Sequence, residues 1–116
     1  MEEFDMPIFK KTYSLYKEFY GIRSSVSKQD RYTVYLRVEN SMLEIIEGIL
    51  LASQQTKIEK SPTLEKVSLN LNFLRVLIRL MKDVKAIDIK KYSTLEESID
   101  EIGRMLGGWI KSTKEA

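Results

Sequence analysis

Apolar residues recur along this chain at spacings of three and four, and only two prolines and five glycines interrupt 116 residues. That period belongs to the α-helix, since a strand would alternate at two. An all-α fold follows, with short polar stretches separating the helical segments.

Four segments can be read. The first, about Pro7 to Arg23, opens on a proline whose missing N–H costs nothing in a first turn. It carries Phe9, Tyr13, Tyr16 and Tyr20 beside Ile8, Leu15, Phe19 and Ile22, so its apolar side is unusually aromatic. The run SSVSKQD ends it, and Ser27 with Asp30 offers a cap for the next helix. The second, about Lys28 to Gln55, sets Tyr35, Val38, Met42, Ile45, Ile49 and Ala52 on one stripe. Leu36, Leu43, Ile46 and Leu50 lie beside that stripe, and Glu39, Glu44 and Glu47 are expected to face outward. Ser61 before Pro62 reads as the start of a third helix running to about Ala86. Ser93-Thr94-Leu95-Glu96 reads as a capping box opening a fourth, which continues to about Ser112. Four amphipathic helices with short turns predict an antiparallel up-down-up-down four-helix bundle, one domain over the whole chain.

Composition removes much chemistry. The chain has no cysteine and no histidine, which excludes disulfides, thiolate nucleophiles, imidazole bases and the usual zinc sites. Seryl, carboxylate or lysyl catalysis would need an activating environment that no local pattern supplies. No G-x-S-x-G, P-loop or dinucleotide fingerprint occurs. Glu39, Glu44, Glu47, Glu96, Glu97, Asp100 and Glu101 are numerous enough to raise a di-iron bundle, but the Glu-x-x-His pairs of such centres need histidine. No enzyme activity, cofactor, metal or small-molecule substrate is expected. The opening MEEFDMPIFKK lacks a basic leader before a long apolar run, and no apolar run approaches the ~20 residues that span a bilayer. The expectation is a cytoplasmic protein without membrane contact.

The third helix carries more apolar surface than a small bundle uses. Leu64, Val67, Leu71, Leu74, Ile78 and Met81 make one stripe, and Leu69, Phe73, Val76, Leu80 and Ile87 a second, well round the cylinder. Either this helix is wedged between neighbours or the protein self-associates. Its polar side aligns Arg75, Arg79 and Lys82, a row that suits phosphates or is simply a solvated face paired with Glu65 and Asp83. Lys10, Lys11, Lys28 and Arg31 form a second tier of candidate nucleic-acid or partner contacts. A formal charge of +2 is too small to identify such a partner by itself. In the last helix Gly103, Gly107 and Gly108 imply a flat face for close approach, with Trp109 as an anchor and Arg104 as a charge held at the contact. That face fits an internal helix crossing or a subunit contact equally well.

Three strings, RYTVYLRVENSMLEIIEGILLA, LNFLRVLIRLMKDVKAI and KKYSTLEESIDEIGRMLGGWIKS, resemble in this order the Avd accessory proteins of diversity-generating retroelements. These sit in a wider four-helix-bundle family that includes proteins encoded by intervening sequences of bacterial ribosomal RNA genes. The similarity runs from about Pro7 to Lys114, and E-I-G-R-M-L-G-G-W-I and R-Y-T are its most specific parts. Two positions depart from the pattern: Ser27-Lys28 stands where Pro-Lys is expected, and Tyr35 where a glycine often stands. The resemblance implies a homopentameric barrel of four-helix bundles, a basic surface binding template RNA or DNA, and a complex with the reverse transcriptase. It implies no catalysis by the accessory protein, which supports cDNA synthesis in mutagenic retrohoming. The alternative within the wider family is an intervening-sequence-type bundle that binds another nucleic acid or protein.

Overall fold

The computed structural model describes residues 5–115. Its helices are α1 (Pro7–Gly21), a single turn α2 (Lys28–Arg31), α3 (Val34–Ser53), α4 (Lys57–Asp83) and α5 (Ile89–Lys114), with no strand among the described residues. α1 packs on α3 and α5, and α4 packs on the same two, so the four long helices form a square with α1 and α4 on a diagonal. Short turns at residues 54–56 and 84–88 reverse the chain between neighbours and give the antiparallel bundle. At 27 residues α4 sets the long dimension of the 48 × 26 × 21 Å body.

The stripes expected on α3 and α4 are buried, whereas the aromatic side expected on α1 divides, with Phe9 buried, Tyr16 half-buried and Tyr13 and Tyr20 exposed. α3 contributes Tyr35, Val38, Met42, Ile45, Ile49 and Ala52, and α4 contributes Leu64, Val67, Leu71, Leu74, Ile78 and Met81. Leu95, Ile99, Ile102 and Leu106 of α5 and Ile8, Phe9, Leu15 and Phe19 of α1 complete one core. Where α3 meets α4, a Cβ on Gly48 would fall 2.5 Å from Val67 Cγ2, so any larger residue there would have to displace Val67. Tyr35 takes the place of the glycine expected by resemblance. Its ring stacks on Phe19 with centroids 4.3 Å apart, and its hydroxyl donates to the Phe19 carbonyl at 3.1 Å. Burial pushes this phenol up to about 12.

Three local expectations are corrected. Ser27 does cap α2, accepting the Asp30 N–H at 3.2 Å, but Thr33 leaves helical backbone (φ −122°, ψ −99°), and the second segment is α2 and α3 with a break between them. α4 starts at Lys57 rather than Pro62. Thr56 and Glu59 form a full capping box, with Glu59 N–H to Thr56 Oγ1 at 3.3 Å and Thr56 N–H to Glu59 Oε1 at 2.9 Å. That reciprocal cap satisfies two orphan donors, whereas Pro62 inside the helix removes one ladder bond. The Thr56 hydrogen bonds hold the Glu59 carboxyl below its usual range. α5 starts at Ile89 rather than Ser93, because Asp88 accepts the Lys91 N–H at 2.8 Å, a bond that lowers the Asp88 carboxyl. Thr94 lies inside the helix and donates to the Lys90 carbonyl at 3.0 Å instead of capping.

α4 ends in a left-handed residue. Lys85 has φ 63°, and the N–H groups of Ala86 and Lys85 reach back to the carbonyls of Met81 and Lys82 at 2.8 and 3.0 Å. This is the pattern in which glycine normally closes a helix.

Candidate nucleic-acid and subunit interfaces

The outward side of α4 carries a second apolar stripe among charged and polar residues. Leu69, Phe73, Val76 and Leu80 are exposed, Leu69 and Val76 at 68% and 61%. Ile87, assigned to the same stripe from its spacing, is instead buried at 6%, because the helix stops at Asp83 and the turn carries it back into the core. α3 and α5 are the long helices packed beside α4, and the α2 turn borders a cleft with Leu80 and Val84. α4 is thus not wedged along Leu69, Phe73 and Val76, which no other described residues bury. The Arg37 guanidinium lies 5.2 Å from the Phe73 ring centroid and covers part of it. Leu36 and Leu43 of α3 are also exposed.

Arg75, Arg79 and Lys82 lie along the α5 side of α4, in the expected row. Their charge is shared. Arg75 makes an ion pair with Asp100 of α5, Arg79 Nε stands 3.9 Å from Asp83, and Lys82 Nζ stands 3.7 Å from the same carboxylate. Lys82 also sits 4.6 Å over the Tyr92 ring, whose phenol is raised by its hydrogen bond to Glu96 and by burial. Glu65 does not serve this row and pairs with Lys114 at 3.6 Å.

The second tier is scattered. Lys10 is exposed near the start of α1, while Lys11 beside it pairs with Glu101 at 2.9 Å. Lys28 is exposed at the opposite end of the bundle, where Arg31 Nε donates to the Val26 carbonyl at 2.9 Å. Glu39, expected outward, is half-buried because it accepts from the Tyr16 hydroxyl at 3.1 Å. Burial, and then that contact, raise the Tyr16 phenol.

The three glycines of α5 divide. A Cβ on Gly103 would lie 2.6 Å from Arg75 Nη2, so this glycine gives the Arg75 side chain room to cross to Asp100. Gly107 and Gly108 meet nothing within 4 Å of such a Cβ and are open. Gly103 and Gly107 line a groove of about 370 Å³ between α4 and α5, where Leu71, Leu106 and Ile110 are joined by Ser68, Asn72, Arg75, Asp100 and the exposed Arg104. Trp109 is half-buried against the core with Lys60 5.5 Å from its ring centroid. The crossing of the Arg75 side chain thus accounts for Gly103, while Gly107 and Gly108 are exposed.

Two features had no clear sequence signal. Gly48 gave no pattern of its own. The basic turn around Lys85, which lines a cleft of about 810 Å³ with Ser25, Lys82 and Lys91, joins segments far apart in the chain. Among the described residues no acidic group is placed to hold a metal, and no helix is long and apolar enough to cross a membrane.

No curated protein matches the chain. A family model described as bAvd-like matches residues 6–113, which takes in all five helices up to the last residue of α5. An all-α bundle with an uncovered apolar face and a cationic flank, matched over nearly its whole length, belongs to the bAvd-like family, the bacterial accessory variability determinants of diversity-generating retroelements.

Proposed function

We propose that this chain is the non-catalytic accessory subunit of its retroelement, a cytoplasmic homopentameric barrel that binds template RNA and the reverse transcriptase and supports mutagenic cDNA synthesis for retrohoming. Family membership supports the partnership with the polymerase. The observation that carries the assembly is the uncovered stripe Leu69, Phe73, Val76 and Leu80. A second exposed face, with Tyr13 and Tyr20 of α1, lies across the bundle diagonal from it. Two unlike exposed faces suit a head-to-tail contact, which closes into a ring where successive subunits are turned by one fifth of a circle, whereas a two-fold dimer uses one face against itself. Such a scaffold holds RNA and enzyme together while the polymerase performs the bond chemistry, and DNA would meet the same cations through its phosphates.

The test is reconstitution. Template RNA, reverse transcriptase and this protein are combined, each is omitted in turn, and cDNA is quantified while light scattering reports the mass of the accessory protein. The expected result is a five-subunit mass and cDNA that depends on the accessory protein. Undiminished synthesis without it would overturn the functional reading, and a monomer at micromolar concentration would overturn the ring.

A further inference from the structure

Charge is distributed unevenly along the bundle. Residues 23–31 and 82–91, which the topology gathers at one end, hold seven Lys or Arg against three Asp, a balance of +4 in a chain whose whole balance is +2. The rest of the molecule is therefore net acidic. Ser25 from the first stretch lines the same cleft of about 810 Å³ as Lys82, Lys85 and Lys91 from the second, with Asp83 and Asp88 among those lysines, so the two stretches meet at it.

Much of this charge is free of internal partners. Lys28, Lys85 and Lys90 are exposed, and none has a carboxylate within ion-pair distance among the described residues. Within this same end Lys91 pairs with Asp88 at 3.3 Å, and Lys82, which it shares with the α4 row, stands near Asp83. The rest of that row is paired too, Arg75 with Asp100 and Arg79 with Asp83. Lys85 adds a backbone observation. It holds the left-handed position closing α4, φ 63°, where glycine would sit without strain, and local strain of this kind collects at functional positions.

We infer that this basic end, rather than the α4 row, is the surface that meets the phosphate backbone of RNA. The inference rests on the nucleic-acid-binding reading proposed above. Flexible ammonium groups without internal partners gain most from phosphates, because binding releases condensed counterions and breaks no existing ion pair. The larger apolar surface that a protein partner would bury lies along α4. Cyclic symmetry brings every copy's basic end to the same level along a ring axis, so assembly concentrates the field.

Two triple variants test this by fluorescence anisotropy on a labelled single-stranded RNA of mixed sequence across a salt series, with light scattering to establish that the assembly is intact. One carries Lys28→Gln, Lys85→Asn and Lys90→Gln, asparagine being chosen because it tolerates left-handed backbone. The other removes the same charge away from the basic end, with Lys57→Gln, Lys66→Gln and Lys111→Gln. The first is expected to weaken RNA binding by roughly tenfold or more and to make the log–log salt slope shallower by about 2, the second to change affinity by no more than about twofold. Equal losses in the two variants would mean that affinity follows net charge and not place, which overturns the inference, as would no loss in the first. Failure of the unaltered protein to bind RNA would overturn the nucleic-acid reading along with it. Loss of reverse-transcriptase capture with RNA binding unchanged would also overturn it, and would assign the basic end to a protein contact.

Discussion

The two faces of α4 are built from the same residue types at the same period, yet Leu64, Val67, Leu71, Leu74, Ile78 and Met81 are buried while Leu69, Phe73, Val76 and Leu80 are exposed. The buried stripe is the longer, from Leu64 to Met81, whereas the exposed one spans Leu69 to Leu80 with exposed Glu65, Lys66, Asn72 and Asp83 about it. α3 and α5 pack against the inner side of the helix, and burial by those neighbours turns one apolar row into core and leaves the shorter one as a surface. The lesson extends to glycine: Gly48 and Gly103 lie under neighbouring side chains, whereas Gly107 and Gly108 lie under none.

The strongest way to break the comparison is to truncate one residue on each face. Leu74→Ala empties a fully buried site and should cost about 2–5 kcal/mol in urea unfolding, whereas Val76→Ala should cost under ~1 kcal/mol. Comparable losses at the two sites would mean that the outer face of α4 contributes as much to folding as the inner one.

Tyr35 sharpens the same contrast by titration. Folding holds its phenol protonated up to about 12 against an ordinary 10.0, so its contribution is complete below pH 10 and is lost as pH rises through 12. The loss should approach about 3 kcal/mol between those limits, read as a falling unfolding free energy in alkaline urea melts, and Tyr35→Phe should flatten that fall.

Glycine substitutions come next. Gly48→Ala forces a methyl against Val67 Cγ2 and should destabilise by about 1–3 kcal/mol, with partial rescue by Val67→Ala. Gly107→Ala has open space and gains helix propensity, so it should raise stability by up to about 1 kcal/mol. A destabilised Gly107→Ala chain would show that the open face is packed in the assembled protein.

The smallest effect on folding is expected outside. Leu69→Gln with Phe73→Gln should shift the unfolding free energy by less than ~1 kcal/mol while lowering the mass seen in light scattering. An unchanged mass would remove the stripe from the assembly interface.

Local signals in the chain were legible but degenerate. Thr56 and Glu59 form a capping pair as readable as Ser61 before Pro62, and Asp88 competes with Ser93 and Glu96 in the same way. Both upstream caps prevail, and the burial of Ala86 and Ile87 in the turn pins the chain just ahead of Asp88. The basic row was legible as an alignment, since Arg75, Arg79 and Lys82 share a face by spacing alone. Its neutralisation was not, because Asp100 lies on another helix, 25 residues from Arg75.

What the sequence determined by itself is the set of features that depend on the backbone's own geometry: helical period, inward stripes, the absence of imidazole and thiol chemistry, and family membership over residues 6–113. The tertiary structure decided that the second stripe of α4 is left exposed, which glycines lie under neighbouring side chains, and which cations are paired. The physical reason is range. Helix period is set by contacts three and four residues apart, whereas burial and ion pairing are set by whichever helix the bundle places alongside.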